Sequence, residues 1–239
     1  MGSEVGLTDE QPVHTVFLNA FWIDQTEVTN AMYDGCVQAG ECGRPSVTTY
    51  LTDPAYAQHP VVFVSWKESH AYCTWAGRRL PSEAEWEKAA SWDPRQNEKR
   101  IYPWGDTFDC EKGNFDDETA LDDFAVPGGP SCDGHSRMSP VGSYPAGASP
   151  YGALDMGGNV WEWVNDAFIE TDPFGGQQNY YALSPASNPQ GVDPATTGYR
   201  VLRGGSWNYN FGFGRAAYRL WFGLGDSYDG MGFRCARSQ

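Results

Sequence analysis

The sequence predicts a single α+β domain in which short helices come early and regular structure thins toward the C-terminus. Three observations point that way. Two Ser-x-x-Glu capping boxes lie close together, at Ser65/Glu68 and Ser82/Glu85, each able to open a short helix. The strand candidates are brief and scattered. From Pro94 onward Gly, Pro, Asp, Trp and Tyr dominate, and little periodicity of 3.6 or 2 survives. At 239 residues, one domain over 1–239 with a sizeable core is the expectation.

Residues 13–18 and 20–24 read as short strands. Thr29 can cap a helix running to about Ala39, and Gly40 can end it. After a loop over 41–59, the apolar run Val61, Val62, Phe63, Val64 reads as a buried strand. The first capping box then opens a helix to Ala76, stopped by Gly77, and the second opens one to about Ser91. Residues 199–203 are the clearest later strand. A domain so poor in regular structure needs other fixings, and disulfides or bound cations are the usual ones.

The formal charge is −15, which argues against nucleic acid or an anionic membrane as partner. Its local density, at Asp116, Asp117 and Glu118 and again at Asp122 and Asp123, reads as a solvated loop. Mean hydropathy is −0.54, and no apolar run approaches the ~20 residues that span a bilayer. Neither an N-terminal signal pattern nor an internal repeat is visible. Cysteines stand at 36, 42, 73, 110, 132 and 235, with no CxxC, and the four histidines are far apart. Zinc spacing is absent. The even count suggests disulfides, with Cys36 and Cys42 near enough for a local bridge, against free buried thiols. Bridges would favour the cell exterior or surface.

Residues 203–237 stand apart. Orderly ends, RGGSW and GFR, enclose aromatic and aliphatic residues interleaved with glycine. Glycine permits backbone angles that other residues avoid, so the stretch reads as loop rather than helix. Such a loop pinned at both ends is a candidate ligand-binding surface on a rigid scaffold. The residues concerned are Asn208, Tyr209, Asn210, Phe211, Phe213, Tyr218, Leu220, Trp221, Phe222, Leu224, Asp226, Ser227, Tyr228 and Asp229. Rigid aromatics give large contact area at low entropy cost, and Ser, Asn and Asp give adaptable hydrogen bonds. The alternative is a core loop whose aromatics are simply buried. If the surface reading holds, alanine at two of these aromatics removes binding without lowering the melting temperature.

The order of motifs FWIDQTEVTN (21–30), YCTWAGRRLPSEAEWE (72–87), YPWG (102–105), GGNVWEW (157–163), RGGSW (203–207) and GFR (232–234) resembles the formylglycine-generating enzyme and sulfatase-modifying factor family. The resemblance covers essentially the whole chain. It implies a variant of the C-type lectin fold, α+β with low regular secondary structure and a ligand face near the C-terminus. Family members usually carry a strand before the residues that begin this sequence, so a domain-level fragment is expected.

The resemblance also speaks to chemistry. Family enzymes oxidise a substrate cysteine with copper held by two cysteines shortly after the GGS motif, and those positions fall here on Tyr209 and Gly214. Ser206 keeps the place of the family's active-site serine, but one serine does not replace a soft thiolate pair. The branch that makes sulfoxides uses iron bound by three histidines of a separate domain, which is not within these residues. On this basis the chain is expected not to be an enzyme. The resemblance further implies a Cys73–Cys235 bridge, which leaves Cys36–Cys42 and Cys110–Cys132 to pair.

Two family calcium sites are implied as well. One takes the side chains of Asp155 and Glu162 with the carbonyls of Gly158 and Val160. The other takes the side chains of Asn114 and Asp133 with the carbonyls of Phe115 and His135. Such all-oxygen sets suit Ca²⁺ in a structural role. The plain reading of these carboxylates is turns and caps.

One branch of this fold, the variable proteins of diversity-generating retroelements, replaces such a C-terminal segment with copies substituted at template adenines. Codons changed only at adenines of AAC do not reach Lys, Gln, Glu, Met or Trp. Residues 208–230 contain none of the first four, and Trp221 is the single exception. The expectation is therefore a non-enzymatic binder of an unknown protein or cell-surface ligand, with a segment diversified in this way. The alternatives are a fixed-loop paralogue serving as a sensor or scaffold domain, and an oxidoreductase of the formylglycine-generating type.

Overall fold

A computed structural model describes residues 1–116, 132–169, 180–190 and 197–239. The acidic residues Asp117, Glu118, Asp122 and Asp123 lie outside the described residues. Phe21–Ile23 forms strand β1. Helix α1, Asn30–Gln38, is capped by Thr29, whose side chain accepts from the Met32 amide. A single turn, α2, spans Thr49–Thr52. Both capping boxes form as expected. They open α3, Trp66–Trp75, and α4, Glu83–Ser91, with serine oxygens accepting the Glu68 and Glu85 amides and the glutamates accepting the serine amides in return.

Strands β2, Trp92–Asp93, and β3, Glu98–Lys99, make a small hairpin. Then come β4, Trp161–Ala167, a turn α5 over Tyr180–Leu183, and β5, Tyr199–Arg203. Strands β6, Leu220–Gly223, β7, Met231–Gly232, and β8, Ala236–Ser238, follow. The main sheet runs β6-β5-β4-β7, antiparallel except where β4 and β7 lie parallel, and β1 pairs separately with β8. The C-terminal segment therefore leaves β5, forms one edge of the sheet as β6, and returns on the other side of β4 as β7. Both of its ends are held by the same central strand pair.

The mixed architecture expected from the sequence is present, but three local readings are corrected. Residues 13–18 form no strand, only an isolated bridge from Phe17 to Ser187, and Phe17 is exposed. Residues 61–64 are buried at three of four positions yet also form no strand. Phe63 sits at φ 59°, a left-handed angle costly for a bulky residue, and its amide donates to the Tyr228 carbonyl instead. The segment read as loop contains β6, β7 and a short 3₁₀ turn at Phe211–Gly214, so backbone pairing supplies order that side-chain periodicity did not advertise.

The bridges Cys36–Cys42, Cys73–Cys235 and Cys110–Cys132 are all formed. Cys73–Cys235 ties α3 to the chain just before β8, closing a separation of 162 residues. Buried ion pairs supply further fixings. Arg203 and Arg219 meet Glu83, Arg203 also meets Glu87, and Arg234 meets Glu162. Thus α4, whose carboxylates point inward, is clamped to the start and middle of the C-terminal segment.

Candidate functional site

Strand β4 begins with Trp161, which is 1% exposed and forms the floor of the site. Three rings of the C-terminal segment surround it: Tyr209 at 5.5 Å between ring centres, Tyr218 at 6.0 Å and Phe213 at 6.3 Å. Phe213 also meets Tyr209 edge-on at 5.1 Å and Tyr218 at 4.8 Å. Edge-on contacts of this kind are the favoured aromatic geometry. The Trp161 Nε1–H is buried and has no acceptor among the described residues. An unmet buried donor costs about 1–3 kcal/mol, so its position under three half-buried rings calls for a functional account.

Local structure sets these rings in place. Asn210 accepts from the Gly212 amide at 3.0 Å and so starts the 3₁₀ turn that carries Phe211 and Phe213. Arg215 follows, paired with Glu10, with its guanidinium over the Tyr218 ring at 5.6 Å. Arg219 is anchored on Glu83. Burial raises the phenol pKa of both Tyr209 and Tyr218, so both hydroxyls stay protonated at neutral pH.

Strand alternation then divides the expected binding residues. Leu220 and Phe222 pack on the same core as Tyr209, Phe213 and Tyr218, whereas Trp221 packs with the other core, against Phe168 at 5.4 Å and Tyr199 at 4.7 Å. Trp221 is thus separated from the others. Phe211 reaches Phe108, ring centres 4.5 Å apart, and Phe222 reaches Tyr228 at 5.3 Å. Tyr228 is 50% exposed, Asn208 is exposed, and Leu224 and Asp229 are half-buried. Asp226 caps its own turn by accepting from the Gly223 amide, and Ser227 shares a hydrogen bond with Ser46. The rings are therefore half core and half surface, the inner ones, Tyr209, Phe213 and Tyr218, packing on the core and Tyr228 standing half in water. Sequence reasoning missed Trp161 and Phe108. The signal for Trp161 was its place within GGNVWEW, three residues after Gly158.

The calcium sites implied by the sequence divide in a similar way. Asp155 takes the Gly142 amide on Oδ2; its buried Oδ1 has no N–H donor among the described residues, and the Glu27 carboxyl hydrogen-bonds to the Asp155 side chain. Glu162, however, is occupied by Arg234 on both oxygens and by the Trp86 indole. Beside Asp155 lies Glu27, fully buried, with Oε1 on the Asn159 amide and Oε2 without a donor. Burial first, then the neighbouring Asp155, pushes the Glu27 carboxyl well up. At the second site Asn114 Oδ1 is buried and lacks a donor among the described residues, while Asp133 accepts the Phe115 and His135 amides. Asn114 Oδ1 and the Asp155 and Glu27 carboxyls offer oxygen only, the donor chemistry that a hard cation takes. Among the described residues no three His, Cys, Asp or Glu side chains converge as a metal cluster.

Copper does not fit. All six cysteines are in bridges, Tyr209 offers no thiolate, and a Cβ at Gly214 would meet the Phe115 ring at 2.4 Å. Ser206 is fully buried and donates to Asn208 Oδ1.

The chain matches the Sulfatase-modifying factor enzyme 1-like domain over residues 1–239. It is 35% identical to serine/threonine-protein kinase pkn1 of Chlamydia caviae over 99% of this chain and 36% of that one. To hercynine oxygenase of Mycobacterium tuberculosis it is 35% identical over 90% of this chain and 52% of that one. To formylglycine-generating enzyme of Streptomyces coelicolor it is 34% identical over 95% and 81%. The chain thus spans about a third to a half of the length of the first two relatives. Among solved structures, PvdO from Pseudomonas aeruginosa superimposes with TM-score 0.75 at 25% identity, covering 100% of this chain and 90% of that one. Treponema denticola variable protein 1 superimposes with TM-score 0.69 at 22% identity, covering 100% and 91%, which establishes the shared fold. The expectation that the chain is not an enzyme is corrected by these findings. Two relatives similar over most of its length carry the names of enzymes, so a missing copper pair does not separate the chain from enzymes.

Proposed function

The chain belongs to the sulfatase-modifying factor enzyme 1-like family, and on that premise we propose that its C-terminal segment is a ligand-recognition face. The observation that carries this reading is the buried Trp161 N–H, without an acceptor, under the half-buried rings of Tyr209, Phe213 and Tyr218. A ligand that inserts an acceptor there and spreads over the rings would satisfy the donor and bury the rest of the aromatic surface. The ligand is a protein or cell-surface molecule. Three bridges favour an extracellular setting, and among the described residues no helix is long and apolar enough to cross a membrane.

The segment's composition supports diversification by a retroelement. Lys, Gln, Glu and Met are absent over 208–230, although all four occur elsewhere in the chain. Nucleotide sequencing around the gene tests this. A near-copy of the 208–230 coding segment, differing at adenines and lying beside a reverse-transcriptase gene, is the expected result. Absence of any copy from the complete native genome would leave a fixed segment with one dedicated partner.

A second reading is favoured by the match of 99% of this chain to 36% of a protein named as a kinase: the same face serves as the sensor domain of a longer signalling chain. Calcium is proposed at Asp155 and Asn114 as structural support for the loops behind the face.

A further inference from the structure

The charge left on the recognition face specifies the kind of partner, an inference that rests on the recognition reading above. Residues 208–230 carry two arginines and two aspartates, so their formal charge cancels. The structure removes that balance. Arg215 is consumed by Glu10, and Arg219 by Glu83. Among the described residues neither Asp226 nor Asp229 has an ion-pair partner, and both are half-buried rather than enclosed. Asp226 retains only its turn hydrogen bond from the Gly223 amide. Asp229 stands close enough to Tyr209 to raise its phenol pKa, second to burial. The neighbouring Arg137 lies over the Trp207 ring at 5.7 Å and donates to the Tyr50 hydroxyl.

Aromatic faces attract cations, and Arg215 over Tyr218 is an instance within this segment. Trp207 donates its indole N–H to the Asp229 carbonyl at 3.3 Å, which sets Asp229 against the stretch of chain that carries Tyr209, and the exposed ring of Tyr228 adjoins it. The neighbouring cation outside the segment is Arg137, held on the Trp207 ring. Cavities of about 530 Å³ and 380 Å³ open elsewhere, on His14 and Trp92 and on Trp22 and Arg78, and one of about 230 Å³ touches the segment at Arg215 and Ala217, on the side of Lys99 and Ile101. We infer that the partner is a protein whose contacting surface presents lysine or arginine, seated between Tyr209, Tyr228 and Asp229. The chain's overall charge of −15 would steer the same encounter.

The test is selection of a displayed library of random linear peptides on the full chain. Bound peptides are then measured against Tyr209→Ala, Tyr228→Ala and Asp229→Asn, each first shown to unfold cooperatively. Tyr228, half exposed, keeps the test open if Tyr209→Ala fails to fold. The inference expects peptides enriched in Lys and Arg, lost on the tyrosine variants, weakened about five- to tenfold by Asp229→Asn, and weakened further by added salt. Enrichment of neutral or acidic peptides that still need the tyrosines would overturn the basic partner and leave the recognition face standing. If nothing is enriched, the basic partner is likewise overturned. Basic peptides that bind every tyrosine variant equally would show a different site in use, and both readings would fall.

Discussion

Trp161 and Tyr209 meet edge-on, ring centres 5.5 Å apart and planes at 84°, although 48 positions separate them in sequence. One belongs to the rigid central strand and the other to the segment that changes direction around it. That contact makes the segment part of the core on its inner side while its outer side remains available. In the proposed reading, stability and recognition are therefore shared by the same rings, in different proportions at each.

A graded mutational series follows from that sharing. Phe213→Ala, which removes a ring touching Trp161, Tyr209 and Tyr218, is expected to cost about 2 kcal/mol, below the range for a fully buried ring. Tyr228→Ala is expected to stay within about 0.5 kcal/mol of the parent, since half its surface is already in water. Urea unfolding of both variants checks the order, and equal losses would contradict it.

Arg234→Ala should be far more damaging. It strips both oxygens of Glu162 of their cation in a fully buried setting and also removes donors from the Asp24, Gln25 and Leu154 carbonyls. A loss of about 3–5 kcal/mol is expected by chemical denaturation. Arg215→Ala, on a pair whose arginine is one-fifth exposed, should cost about 1–2 kcal/mol after allowance for screening.

Acid should act through Glu87. Burial opposes its ionisation, but Lys99 and Arg203 outweigh burial and hold the carboxyl down to about 2. Because the folded pKa lies below the unfolded value of 4.5, the stabilisation is complete above 4.5 and is lost as pH falls toward 2. Glu87→Gln is therefore expected to lower the melting temperature at neutral pH and to converge with the parent as pH approaches 2. Parallel curves across that range would contradict the assignment.

Calcium should raise the melting temperature, and a chelator should reverse the rise. At a concentration about a hundredfold above Kd the gain would be about 2.7 kcal/mol for one site. Asp155→Ala and Asn114→Ala should each remove part of it, because each deletes one buried oxygen of a proposed site. A melting temperature indifferent to calcium in the parent would remove the cation from the account.

Much of this was legible in the sequence, for physical reasons that differ by element. The capping boxes at Ser65 and Ser82 are local, so three or four residues suffice to read them, and both helices formed. The resemblance of ordered motifs carried the fold, and the Cys73–Cys235 bridge with it. What stayed hidden is non-local. No short window reveals that Phe63 takes a left-handed angle, that β6 adds to β5 as an edge strand, or that Arg234 occupies Glu162. Nor does sequence alone place Trp221 on the opposite side of the sheet from Phe222, since that needs the strand register.

The central claim concerns which face meets the ligand, and the Trp161 indole N–H reports on it most directly. Its proton resonance should be followed by NMR as a selected peptide is added to labelled protein. The account predicts that this resonance shifts, together with those of Tyr209 and Tyr228, while His14 and Trp92 beside the cavity on the other elements stay still. Shifts at His14 and Trp92 with an unmoved Trp161 would place recognition elsewhere and contradict it.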